Sequence, residues 1–224
     1  MFRVAILIDG GFYRKRARCL FDEKHGKEAA LQMIEYVRRH VKGQHDHPDS
    51  EVYRIFYYDC PPISKQIYHP LLKRAVDFSK TEQYRQMNDF LDALRSQRKV
   101  ALRLGTLSNF QSYTLKGDAV KQLCNGKLTV DDLNESHFMI EARQKGVDMK
   151  IAVDITSMAL KKQVDRIVLI SGDSDFVPAA KLARREGIDF VLDPMWAHIE
   201  PSLNEHIDGL HSCCPRPKTD SSEK

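Results

Sequence analysis

Arg166-Ile167-Val168-Leu169-Ile170-Ser171-Gly172-Asp173-Ser174-Asp175 runs a β-branched and aliphatic stretch into small residues and paired carboxylates. An unbroken apolar run of this length, bounded by turn residues, is what a strand buried on both faces requires, and such strands belong to parallel sheets. The same pattern opens the chain, where Phe2-Arg3-Val4-Ala5-Ile6-Leu7-Ile8 is followed by Asp9-Gly10-Gly11. A third strand is expected over 51–58, closed by Asp59 and Pro61-Pro62.

Between these strands the hydrophobic period changes from 2 to 3.6. Ala30, Leu31, Ile34, Val37 and Val41 predict a helix over 28–41, ended by Gly43 and the polar stretch 45–50. Thr81 is placed to cap a helix to about 97, with Tyr84, Met87, Phe90, Leu91 and Leu94 on its inner face. Val100, Leu102 and Leu104 alternate with polar neighbours, as in a half-buried strand. Residues 106–135 are expected to form a hairpin or an insertion. Beyond them follow a helix at about 148–162, the strand at 166–170, a helix at about 176–186 stopped by Gly187, and a strand at 188–192. Residues 202–210 predict a short helix. The order predicts an α/β fold, a doubly wound and mostly parallel sheet flanked by helices over residues 1–210. Residues 211–224, which include Cys213 and Cys214, predict a disordered tail.

The bulk composition narrows the function classes. The 224 residues are 42% hydrophobic and 29% charged, with a net charge of +4, so a polyanionic partner is permitted but not demanded. No apolar stretch approaches the ~20 residues that span a bilayer, and the opening run lacks the long apolar core of a signal peptide. The five cysteines form no CxxC pair, which excludes a disulfide framework or zinc site and predicts reduced thiols in a cytoplasmic protein. Basic clusters at Arg14-Lys15-Arg16-Arg18, at 38–42 and at 95–103 read as solvated helix faces or as a surface for nucleic acid.

In open parallel sheets, sites form beyond the carboxyl ends of the strands. Asp9, Asp59 and the Asp173/Asp175 pair all follow strands. Asp9 and Asp173 also suit helix N-caps. Converging carboxylates raise one another's pKa unless a cation neutralises them, and hard oxygen donors point to Mg²⁺ or Mn²⁺. Helical phase places Asp148 with Ile151, Ala152, Ile155, Met158 and Ala159, on the expected buried face, where a carboxylate needs a partner. Asp154 lies roughly 120° from that direction and reads as an outer-shell or surface charge, as does Asp59. Ser171 and Ser174 are small enough to admit a phosphate, which Lys145 and Lys150 could also contact.

The blocks Ile6-Leu7-Ile8-Asp9-Gly10-Gly11-Phe12, Lys145-Gly146-Val147-Asp148-Met149-Lys150-Ile151-Ala152-Val153-Asp154 and Leu169–Pro178 resemble the NYN domain, a branch of the PIN-like nuclease superfamily, in its LabA-like group. The resemblance implies a Mg²⁺- or Mn²⁺-dependent ribonuclease acting on single-stranded or structured RNA, with Asp9, Asp148, Asp173 and Asp175 lining the site. Position 11 is Gly where many members carry Asn. Two alternatives stand beside it: a module of the same fold that binds RNA or protein without cleaving, and a haloacid-dehalogenase-like phosphatase. The phosphatase normally has an acid two residues after its nucleophile, where this chain has Gly11. The open sheet edges leave room for a homodimer.

Overall fold

The computed structural model describes residues 1–42 and 47–217. Strands β1 (Phe2–Asp9), β2 (Ser50–Asp59), β5 (Val100–Leu104), β8 (Arg166–Ile170), β9 (Asp189–Asp193) and β10 (Gly209–Leu210) build a six-stranded sheet of order β10-β9-β8-β1-β2-β5. Every neighbouring pair is parallel. The fold is therefore the expected doubly wound α/β architecture.

The apolar runs explain the layers. Val4 to Ile8 are each 0% exposed. Alternate residues enter different cores: Ala5 and Leu7 pack beneath α5 (Val147–Leu160) and α6 (Val177–Arg185). Val4, Ile6 and Ile8 pack beneath α1 (Gly10–Leu20), α2 (Gly26–Arg38) and α3 (Glu82–Arg95). A strand roofed on both sides has no face to give to water, hence its continuous hydrophobicity. Thr81 does cap α3, its hydroxyl accepting from Tyr84 N at 3.2 Å. Helix α2 ends at Arg38, earlier than expected; of its expected stop signals, Gly43 and residues 45–46 lie outside the described residues.

Three segments differ from expectation. The span 106–135 is part of an arm whose strand β6 (Thr106–Leu115) pairs antiparallel with β7 (Phe138–Lys145), with helix α4 (Gly117–Cys124) between them. A smaller hairpin, β3 (Gln66–His69) with β4 (Arg74–Asp77), leans on it: His69 contacts the Tyr113 ring, with centroids 4.1 Å apart. The expected helix over 202–210 is one turn, α7 (Pro201–Asn204), followed by β10. Residues 211–214 are not loose: Cys214 is buried, and its carbonyl accepts the Trp196 indole N–H at 2.8 Å. The rest of the expected tail from 218 lies outside the described residues.

Candidate metal centre

Strand β1 is the topological switch point, with β8 on one side and β2 on the other. Chains leaving its carboxyl end diverge to opposite faces, which opens a crevice there. Asp9 stands at that end and caps α1, its Oδ1 accepting from Phe12 N at 3.0 Å. Ser171, fully buried at the end of β8, donates to Asp9 Oδ2 at 3.4 Å and accepts from Asp173 N at 3.3 Å. Asp173 in turn caps the short 3-10 turn Ser174–Phe176 by accepting from Asp175 N at 2.9 Å. The capping role open to Asp9 and Asp173 is thus real, and it aligns both side chains at one edge.

Asp148 arrives from the other side of the crevice, in the first turn of α5. It is not the cap of that helix: Gly146 is, with φ +79° and no side-chain bond. The phase argument placed Asp148 on a buried face, and here the structure corrects it. Asp148 is exposed. Its azimuth matches the buried Ile151 and Ile155, yet in the first turn of α5 its side chain is open to solvent.

Asp148 is nonetheless coupled to each of the other three acids. Burial raises the Asp9 carboxyl above the usual range; bonds from Phe12 N, Gly11 N and Ser171 oppose the rise, and the Asp148 charge adds to it. Partial burial likewise raises Asp148, reinforced by the charges of Asp173 and Asp175. Together with Phe12, Gly172, Ser174, His198 and Glu200, the acids Asp9 and Asp173 line a cavity of about 420 Å³. A Cβ on Gly172 would come within 3.0 Å of the Phe12 ring, so glycine is what lets the β8 loop lie against α1. His198 and Glu200 come from the loop before α7; no spacing in the sequence links them to the acids.

Donor chemistry and charge here suit a hard divalent cation. Geometry is less complete: among the described residues, no set of three or more His, Cys, Asp or Glu side chains is arranged to hold one ion. The carboxylates of Asp9 and Asp173 are turned onto backbone N–H groups instead.

The remaining expected site residues divide. Ser174 lines the cavity, whereas Lys145 and Lys150 are exposed on either side of Asp148. Asp59 is 1% exposed and ion-paired with Arg14; it also accepts from Tyr57 Oη and Cys60 N, both at 2.7 Å. Gly10 presses against this group, since a Cβ there would lie 2.5 Å from Tyr57 and 2.6 Å from Asp59 Oδ2. Asp59 therefore braces the residue after Asp9 while its own charge is neutralised. Asp154 is taken up by Tyr58 Oη at 2.8 Å and Arg103 Nε at 3.0 Å, which ties α5 to β2 and β5.

The NYN domain family model matches residues 3–202. No curated protein sequence matches the chain. Among solved structures, a protein of unknown function from Vibrio parahaemolyticus RIMD 2210633 is similar at 16% identity and a TM-score of 0.46, over 93% of this chain and 91% of that one.

Proposed function

The chain belongs to the NYN domain family, grouped with the PIN-like nucleases, and from that premise we propose that it hydrolyses RNA phosphodiester bonds with a bound Mg²⁺ or Mn²⁺. The observation that supports this reading is the gathering of acids at the switch point: burial first and then the Asp148 charge raises Asp9, and burial first and then the Asp173 and Asp175 charges raises Asp148. Asp9 and Asp173 would hold one ion, with Asp148 and Asp175 completing its shell or holding a second. A divalent ion so held supplies an activated water and offsets the charge developing on the phosphate. Ser171 donates its hydroxyl to the second oxygen of the Asp9 carboxylate and so limits its rotation. Ser174 faces the same cavity and suits a phosphate oxygen, while Lys145 and Lys150 attract the RNA backbone to the rim. Free thiols at all five cysteines suit action in the cytoplasm, and among the described residues no helix is long and apolar enough to cross a membrane.

Because Asp9 and Asp173 also cap the segments that follow them, a second reading makes them structural and the protein an RNA-binding module without cleavage. One experiment separates the two. Purified protein is incubated with mixed-sequence single-stranded RNA in Mn²⁺, in Mg²⁺ and in EDTA, beside Asp173→Asn and Asp148→Asn. The nuclease reading expects ion-dependent cleavage that falls by roughly 10² or more in either variant, the usual scale for losing preorganised charge stabilisation. RNA that is bound but left uncut under every ion condition favours the second reading.

A further inference from the structure

A larger cavity, of about 620 Å³, opens on the other side of Asp59 from the acids, between α1, α3 and the β6–β7 arm. Its size falls within the roughly 300–1,000 Å³ of sites that enclose small organic groups. The floor is apolar and partly aromatic, with Phe78, Tyr84 and Met87 presenting faces to it. Polar groups converge around that floor: Arg18, Gln83 and Gln144 line it. Among the described residues, none of these three side chains nor the Tyr84 hydroxyl makes a hydrogen bond or ion pair. Flat apolar faces ringed by amides and a guanidinium are what an unstacked nucleobase needs, namely a stacking surface and partners for its edge.

The cavity also leads to the acids. Its inner end is formed by Asp59 and Cys60. Asp59 packs against Gly10, the residue after Asp9. A Cβ on Gly105 would lie 3.2 Å from Cys60 Sγ and 3.0 Å from Val147 Cγ2, so Cys60 lies beside the residue that precedes Asp148. On α1, Arg14 lines the cavity while paired with Asp59, and Arg18, one helical turn further on, lines it with its guanidinium unpaired among the described residues.

We infer that this cavity is a nucleobase subsite for single-stranded RNA, taking one base of a nucleotide next to the phosphodiester held at the acids. The inference rests on the nuclease reading for the position of that phosphodiester, and on the cavity alone for base binding. The base stacks on Tyr84 and offers its edge to Gln83 and Gln144, while Arg18 meets the adjoining phosphate. Such a subsite gives the protein a base preference at a fixed distance from the cut.

The test uses short fluorescent single-stranded RNAs, with affinity read by anisotropy in the Asp173→Asn background and cleavage positions read by sequencing in the parent. Removing a stacking ring weakens binding by about 5- to 150-fold, so Tyr84→Ala is expected to fall in that range, to raise KM more than it lowers kcat, and to flatten base preference. Tyr84→Phe, which keeps the ring, is expected to retain affinity, and Gln144→Ala to change preference more than affinity. If Tyr84→Ala and Gln144→Ala bind and cut as the parent does, the subsite is overturned and the nuclease reading stands. If RNA is bound but never cut and Tyr84→Ala still weakens it, the nuclease reading fails and the subsite stands. An unaltered affinity for RNA together with a lost affinity for a protein partner would assign the cavity to that partner and overturn the proposal.

Discussion

Replacing Asp193 by alanine is expected to destabilise the fold by about 3–5 kcal/mol, the cost of leaving several buried donors without their shared acceptor. Asp193 is 0% exposed at the end of β9. Its Oδ2 accepts from Tyr36 Oη and meets His40 Nε2 at 2.7 Å; its Oδ1 accepts from Met195 N at 2.8 Å and Ser212 Oγ at 2.9 Å. Tyr36 and His40 are each 1% exposed, so neither can turn to bulk water once the carboxylate is gone. A buried donor without its acceptor costs about 1–3 kcal/mol. Three such groups would sum higher, but a water entering the vacated space recovers part, which keeps the total near the range given. With a urea m-value of about 3 kcal/mol/M for a chain of this size, the midpoint drops by about 1–1.7 M. Asp193→Asn keeps the shape and one acceptor, and should lose about half as much. A thiol assay gives an independent readout. Cys213 is pushed up to about 12, by burial first and by the Asp193 charge next, and a protonated thiol reacts slowly. Cys19 and Cys124 are exposed and react in the parent; in Asp193→Ala, Cys213 and Cys214 should join them. A loss below about 1 kcal/mol, or an unchanged number of reactive thiols, would refute the role given to this carboxylate.

In EDTA, Asp148→Asn should raise the melting temperature. An acid whose folded pKa lies above its unfolded value withdraws stability as pH rises through that raised value, so the parent gains stability from neutral pH down toward the ordinary carboxylate range and the variant gains less. Mn²⁺ at about 100 times its Kd stabilises by about 2.7 kcal/mol, or roughly 5–10 °C for this length; calorimetry should find most of that shift missing in Asp148→Asn. Gly10→Ala drives a methyl into Tyr57 and Asp59 and should cost about 1–3 kcal/mol by overpacking, read from urea midpoints. Arg14→Ala should cost about 3–5 kcal/mol, because it strands the buried Asp59, whereas Arg103→Ala, which removes a half-exposed partner of Asp154, should cost at most about 1 kcal/mol.

The parts of this molecule that the sequence announces are those decided by local physics. β1 and β8 are legible because strands roofed on both faces must be apolar throughout, β2 because its β-branched and aromatic run stops at Asp59 and Pro61-Pro62, and α3 because Thr81 and its 3.6-period stripe are near neighbours in the chain. Asp9, Asp173 and Asp175 follow from strand ends alone. The illegible parts depend on distant partners. β6 finds its strand at 138–145, past a helix, with the register shifting between Leu107 and Gln111, so no local alternation exposes the pair. Asp193 ends a strand as Asp9 does, and only the arrival of Tyr36, His40 and Ser212 reveals what it binds. Asp148 failed in a different way: helical phase gives direction around an axis and says nothing of whether a side chain in the first turn is covered.

The carboxyl edge of the sheet carries acids at three strand ends, and their surroundings sort them by role. Asp59 and Asp193 are buried to within 1% and each meets a basic side chain, Arg14 in one case and His40 in the other. Such carboxylates are internally balanced and hold structure. Asp9 sits between them in the sheet order, also largely withdrawn from water, yet its nearest charged influence is another acid, Asp148. The fold sets Arg14 against Asp59 on the adjacent strand and His40 against Asp193 two strands away, so among the described residues the lack of a basic partner at Asp9 is not a general shortage of basic side chains at this edge. A chain that pairs its structural acids and leaves Asp148 to repel Asp9, Asp173 and Asp175 accepts a stability cost that the proposed divalent ion would relieve. That contrast is the reason to seek the ion at Asp9 and Asp148, and not at the better-ordered Asp59 or Asp193.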